Sequence, residues 1–131
     1  MSYGVAVALQ EAVFARLSGL PALARVPVVD AMPKGMAGTF VLLGAEEVRD
    51  QSDQTGAGAE HRFAISIVSD ATGFQTAKAM AVAISDALVD APLVLTRGRL
   101  VGLWFQRAVA RRLDEGRVRR IDLTFRARVE A

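Results

Sequence analysis

The sequence predicts one α+β domain over residues 1–131: a mostly antiparallel sheet of two long hairpins, with two helices packed on one face. Three observations carry this. Apolar residues recur at helical spacing over residues 3–18 and 75–89. Residues 62–69 and the end of 117–129 alternate apolar and polar, as half-buried strands do. Turn signals fall at 51–59 and 114–116, between strand-like runs. The order helix, hairpin, helix, hairpin then gives helices segregated to one side of a sheet. A chain of 131 residues divided in two would leave pieces too small to bury good cores.

The first helix places Val5, Leu9, Ala12, Val13 and Leu17 on one side and Gln10, Glu11 and Arg16 on the other. Ser2 is its expected cap, and Gly19 with Pro21 its stop. A proline-punctuated stretch follows over 21–33, with a short extended piece at 28–30. Residues 39–43 form a β-type run that 46–50 continues past an irregularity at Gly44. The loop QSDQTGAGA leads into the strand at 62–69, with Phe63, Ile65 and Ile67 on one face. Thr72-Gly73-Phe74-Gln75 matches a capping box for the second helix, whose core stripe is Phe74, Ala77, Ala81, Ile84 and Leu88. The second hairpin runs 99–112 with Val101, Leu103 and Phe105 on one side. It turns at Asp114-Glu115-Gly116 and returns with Ile121, Leu123, Phe125, Ala127 and Val129 facing inward.

Residues AVILMFWYC make up 52% of the chain but aromatics only 6%, so the core is expected to be thin and closely packed. The chain has no cysteine, which excludes a disulfide framework, a thiol nucleophile and a thiolate metal site. The N-terminus lacks the basic region and cleavage site of a signal peptide. No apolar run reaches the roughly 18 residues of a membrane span.

Catalytic chemistry finds little to work with. His61 is the only histidine and is expected at a strand end or on the surface. Glu46 and Glu47 are strand neighbours that point to opposite faces and cannot converge. Asp114 and Glu115 belong to a turn, where acids serve conformation. Gly56-Ala57-Gly58 lacks the third glycine and the following helix of a dinucleotide site. No metal, cofactor or catalytic residue is expected.

Charge is the one strong signal. From residue 97 onward, ten arginines stand against four acids, a balance of +6; residues 1–96 hold six basic and ten acidic residues, a balance of −4. Arg97, Arg99, Arg107, Arg111, Arg112, Arg117, Arg119, Arg120, Arg126 and Arg128 all fall on the second hairpin. They suit a solvated edge that resists aggregation, contact with duplex phosphates, or an acidic protein surface that pairs with the guanidinium fork. Glu46, Glu47, Asp50, Asp53 and Glu60 offer such a surface on another copy. Contacts between two different patches of one chain close into rings when the rotation permits. This use is favoured over DNA binding, since no recognition helix or set of stacking aromatics is present. Whether the arginines face a neighbour or a ring lumen stays open. Reversing Arg119 and Arg120 to Glu is expected to weaken assembly and leave the fold intact. The loop at 51–60, with Gln51, Gln54, Gly56 and Gly58, is expected to be an arm, poorly ordered in the free subunit, that reaches a neighbour.

Four segments carry a family resemblance: YGVAVALQEAVFARL, EEVRDQSDQTGAGAEHRF, DATGFQTAK and ARRLDEGRVRRIDLTFRARVE. Together they resemble the small tail-completion proteins of phage-like particles, nearest to the tail terminators of gene transfer agents. The resemblance spans nearly the whole chain. It implies a six-membered ring of identical subunits on the head-proximal end of a tail tube, which stops tube growth. The implied partners are further copies of the chain, the tube protein below and a head connector or stopper above. Double-stranded DNA would pass through the lumen without specific binding, and no membrane or cofactor is involved. The chain would be made in the cytoplasm and assembled into the particle. The rival readings are another connector or stopper protein and a small basic nucleic-acid-binding module.

Overall fold

The computed structural model describes residues 2–31, 38–54 and 56–131; the end of the proline-punctuated stretch lies outside them. A 3-10 turn, Ser2–Val5, leads into helix α1, Ala6–Ser18. The short strand β1 is Val28–Val29, followed by β2, Thr39–Asp50, and β3, Gly58–Ser69. Helix α2 is Gln75–Leu88, and β4, Arg99–Leu113, and β5, Val118–Glu130, complete the chain. The five strands form one sheet in the order β1-β2-β3-β5-β4. Only the β1–β2 pairing is parallel. This is the expected α+β architecture.

The second hairpin joins the sheet through its return strand. β5 pairs with β3 on one side and β4 on the other, so β4 becomes the far edge. Its alternation explains this: a strand whose every second residue is apolar can sit between two partners and still bury one whole face. Ile121, Leu123, Phe125, Ala127 and Val129 are all buried, under Leu9, Val13 and Leu17 of α1 and Ala77, Ile84 and Leu88 of α2. Each large core side chain contributes roughly 1.5–3 kcal/mol. Phe125 is the largest fully buried side chain. Phe63 stacks on it at 5.8 Å and Phe105 meets it edge-on at 6.1 Å. The small Ala77, Ala81 and Ala87 keep α2 close to its neighbours, and Arg16 Nε donates to the Ala87 carbonyl across the helix pair at 3.0 Å.

Local expectations needed correction in four places. The cap position of α1 falls on Val5, not Ser2, because the 3-10 turn comes first. The capping box does not form: Gly73, at φ +76°, turns the chain after Thr72, and Phe74 takes the cap position with no side-chain bond. A bulge between Leu100 and Gly102 moves Val101 out of the inward row, and Leu100 pairs opposite Val129 instead. A second bulge, between Phe105 and Arg107, puts Arg107 opposite Thr124 on the helix-free face and Ala108 and Ala110 on the helix side. The expected irregularity at Gly44 is present, as a register shift between Leu43 and Glu46.

No helix among the described residues is long and apolar enough to cross a membrane. Gly98 opens β4 at φ +73°, where a Cβ would meet the Glu130 carbonyl oxygen at 2.6 Å and Val5 at 2.8 Å. Gly98→Ala is therefore expected to cost about 2 kcal/mol in denaturant unfolding. Gly73→Ala, equally left-handed but in open space, should cost only about 1 kcal/mol.

Candidate functional site

β5 places its polar residues on the face without helices, and the neighbouring strands add theirs in register. Asp122 is the centre of one cluster. Ser66 Oγ donates to its Oδ1 at 2.5 Å, Arg120 Nε to the same atom at 2.8 Å, and Arg111 Nη2 to Oδ2 at 3.0 Å. Burial alone would raise the Asp122 carboxyl. The bonds from Ser66 and Arg120 and the charges of Arg120 and Arg111 outweigh it and hold the group below the usual carboxylate range.

Glu60 is the centre of the second cluster. It pairs with Arg62 Nε at 3.4 Å and Arg126 Nε at 3.6 Å, and accepts from Gln51 Nε2 at 3.3 Å. Arg126 also lies 4.9 Å from the centre of the Trp104 ring, and Trp104 fits because it covers Gly102. Arg128 donates to Gln51 Oε1 at 2.6 Å and to its carbonyl at 3.1 Å.

The remaining arginines spread further. Arg99 pairs with Glu130, and Arg117 with Asp114 at 2.9 Å. Arg112 lies on the helix side, 5.1 Å from the Phe74 ring. Arg119 is on the same side, donating to the Ala71 carbonyl at 3.4 Å, with its Nε unpartnered among the described residues. Arg107 is exposed and has no partner among the described residues. The hairpin is thus not one uniform charged surface: Arg119 and Arg120 are half-buried parts of the fold. Arg120→Glu would set a carboxylate beside Asp122 and Arg119→Glu would lose the bond to the Ala71 carbonyl, so the double variant is expected to harm folding, contrary to the sequence-based expectation.

The acidic residues also divide. Glu46 and Asp50 are on the helix side and Glu47 on the other, as their partners Phe63, Ala59 and Arg62 fix. Arg49 donates to Glu47 at 2.6 Å, and this bond and charge hold Glu47 below the usual carboxylate range. Glu60 is buried under Arg62 and Arg126, so it does not belong to an open acidic surface. Glu46, Glu47, Asp50 and Asp53 remain exposed.

The expected arm is shorter than ten residues, because Gly58 and Glu60 already belong to β3. Its base is tied by Gln51 N to the Gly58 carbonyl at 2.8 Å and by the Arg128 contacts. The tip closes through Asp53 N to the Gly56 carbonyl at 2.9 Å, leaving Gln54 exposed at the turn. These bonds hold the base and the tip of the loop.

His61 is neither at a strand end nor on the surface, contrary to expectation. It lies within β3 between Val48 and Ala127, and is fully buried. Neither ring nitrogen has a hydrogen-bond partner among the described residues; Glu46 Oε2 stands 3.8 Å from Nδ1. The register signal was available, since His61 is two residues before Phe63 and so shares its face. No group of three metal-ligating side chains exists among the described residues.

Two variants test these assignments. His61→Leu removes the orphaned nitrogens at similar volume and is expected to stabilise the fold by about 1 kcal/mol. Asp122→Asn is expected to lose about 2 kcal/mol at neutral pH. The folded Asp122 carboxyl titrates below the unfolded one, so its contribution is complete above about pH 4 and fades as pH falls through the folded value. Unfolding midpoints of Asp122→Asn and the parent chain should therefore converge in acid.

Comparison with known proteins gives the surface its context. The family model described as tail completion protein gp17 matches residues 11–130. A chain in the solved structure of a virion of a native gene transfer agent particle is 60% identical. It superposes with a TM-score of 0.91, and the match covers 99% of this chain and 100% of that one. No curated protein matches. The chain therefore belongs to the tail completion protein gp17 family, and as a member it is a structural protein rather than an enzyme.

Proposed function

We propose that this chain is a tail terminator: six copies form a ring on the head-proximal end of a tail tube, stop its growth and present a new surface to the head connector. The observation that carries the reading is the end-to-end similarity to a chain of a gene transfer agent virion. The physical design supports it. A terminator must match the tube on one side and differ on the other, and it needs edges that bind copies of itself. The sheet offers two open edges of different character. β4 is basic and unpaired on its outer side. β2 carries β1 only at Val41 and Leu42, so among the described residues its stretch from Glu46 to Asp50 has no outer strand. Contact between them would be heterologous, the kind of contact that closes into a ring when the rotation permits. DNA transits the lumen, where exposed arginines not engaged by neighbours meet phosphates without sequence preference.

Electron microscopy of intact particles tests this. The subunit is expected as a ring between tube and head, and particles lacking it are expected to carry tails of uncontrolled length. Finding it elsewhere, with tail length unchanged on its removal, would overturn the reading. Duplex binding tighter than about 10⁻⁸ M at physiological salt would instead favour a nucleic-acid-binding module.

A further inference from the structure

We infer that the groove between α1 and the β1–β2 edge receives the β4 edge of a second copy of this chain, with Phe105 as the inserted side chain. This rests on the ring reading and specifies its contact. A groove of about 550 Å³ lies between α1 and this edge, with Val7, Phe14, Val28 and Leu43 as apolar lining and Glu11 and Asp30 at its rim. α1 buries Val5, Leu9, Val13 and Leu17 in its own core, yet Val7 is 69% and Phe14 43% exposed. These two stand seven residues apart, so they form a second apolar seam on the helix. Among the described residues this seam is left exposed, with the β1–β2 edge along one side of it.

The opposite edge has the complementary defect. Phe105, opposite Phe125, is on the helix side of β4 and 46% exposed, and the second bulge sets exposed Ala108 and Ala110 after it on that side. Among the described residues no helix roofs this strip. Its small side chains would let a helix approach closely. An exposed helix seam and an unroofed strand fit one another when two copies stand edge to edge.

Charge and chain direction agree. Arg112, on the helix side with the Phe105 strip, and exposed Arg107, on the other face of the same strand, make this edge basic. Glu11, Asp30 and Glu46 border the groove and its continuation along β2. β2 is antiparallel to β3, β3 to β5 and β5 to β4, so β2 and β4 run in opposite directions. A neighbour continuing the sheet therefore brings β4 antiparallel to β2, with Arg112 towards Asp30. Within one chain β2 and β4 lie three strand spacings apart, roughly 14 Å, so the contact must be between copies.

The absence of native cysteine makes cross-linking a clean test. Gln10→Cys with Ala108→Cys, both exposed positions, should give a disulfide ladder up to the closed ring in intact particles; either single variant should give none. Val7→Asp and Phe105→Asp, on opposite edges, should each lower incorporation at least tenfold. Phe105 touches Phe125, so Val7→Asp, far from that contact, keeps the test valid if Phe105→Asp misfolds. No ladder, together with normal incorporation of Val7→Asp, would overturn the inference even where microscopy still places a ring at the tube end. Conversely, a ladder from a subunit located elsewhere in the particle would uphold the contact and remove the terminator reading.

Discussion

The structure depends on the two-sided character of a single strand. β5 lies between β3 and β4, and its period of two sends Ile121, Leu123, Phe125, Ala127 and Val129 under the helices. The same period sends Arg120, Asp122, Thr124, Arg126 and Arg128 to the other face. A slip of one residue would bury the charges and expose the core, so register is fixed by hydrophobic burial. Once it is fixed, Asp122 and Glu60 fall among guanidinium groups that span three strands.

This changes what the basic ribbon does. Most of its arginines neutralise carboxylates or cover aromatic rings within the chain. The result is a sheet face cross-braced by charge-assisted bonds, each stronger than a neutral hydrogen bond. What remains for a partner is concentrated at the edges, where Arg107, Phe105, Val7 and Phe14 are exposed without full intramolecular use. A stiff sheet with adhesive edges suits a subunit that holds a fixed curvature in the proposed ring.

Much of this was legible in the residues. The helical stripes, the turn at residues 114–116 and the inward row of β5 follow from periodicity alone, and the quoted segments pointed to the right family. The strand order was less accessible, because an alternating strand can be central or peripheral until its second partner is known. The bulges in β4 inverted parity midway and hid the placement of Arg107 and Ala108. Thr72 satisfied a capping pattern, but the left-handed Gly73 moved the helix start past it. Glu60 and His61 were misjudged because a glycine-rich loop was extended over what is already strand. Charge counts marked the second hairpin as unusual, but they could not show which arginines the chain itself consumes.

The central claim is that copies meet through β4 and the opposite edge. Amide hydrogen exchange measured on the free chain and on assembled particles tests it most directly. Outward-facing amides of residues 99–113 and 46–50 should exchange quickly in the free chain and become protected together on assembly, while the interior of β5 stays protected in both. Equal, fast exchange of both edges in the assembled particle would contradict the account.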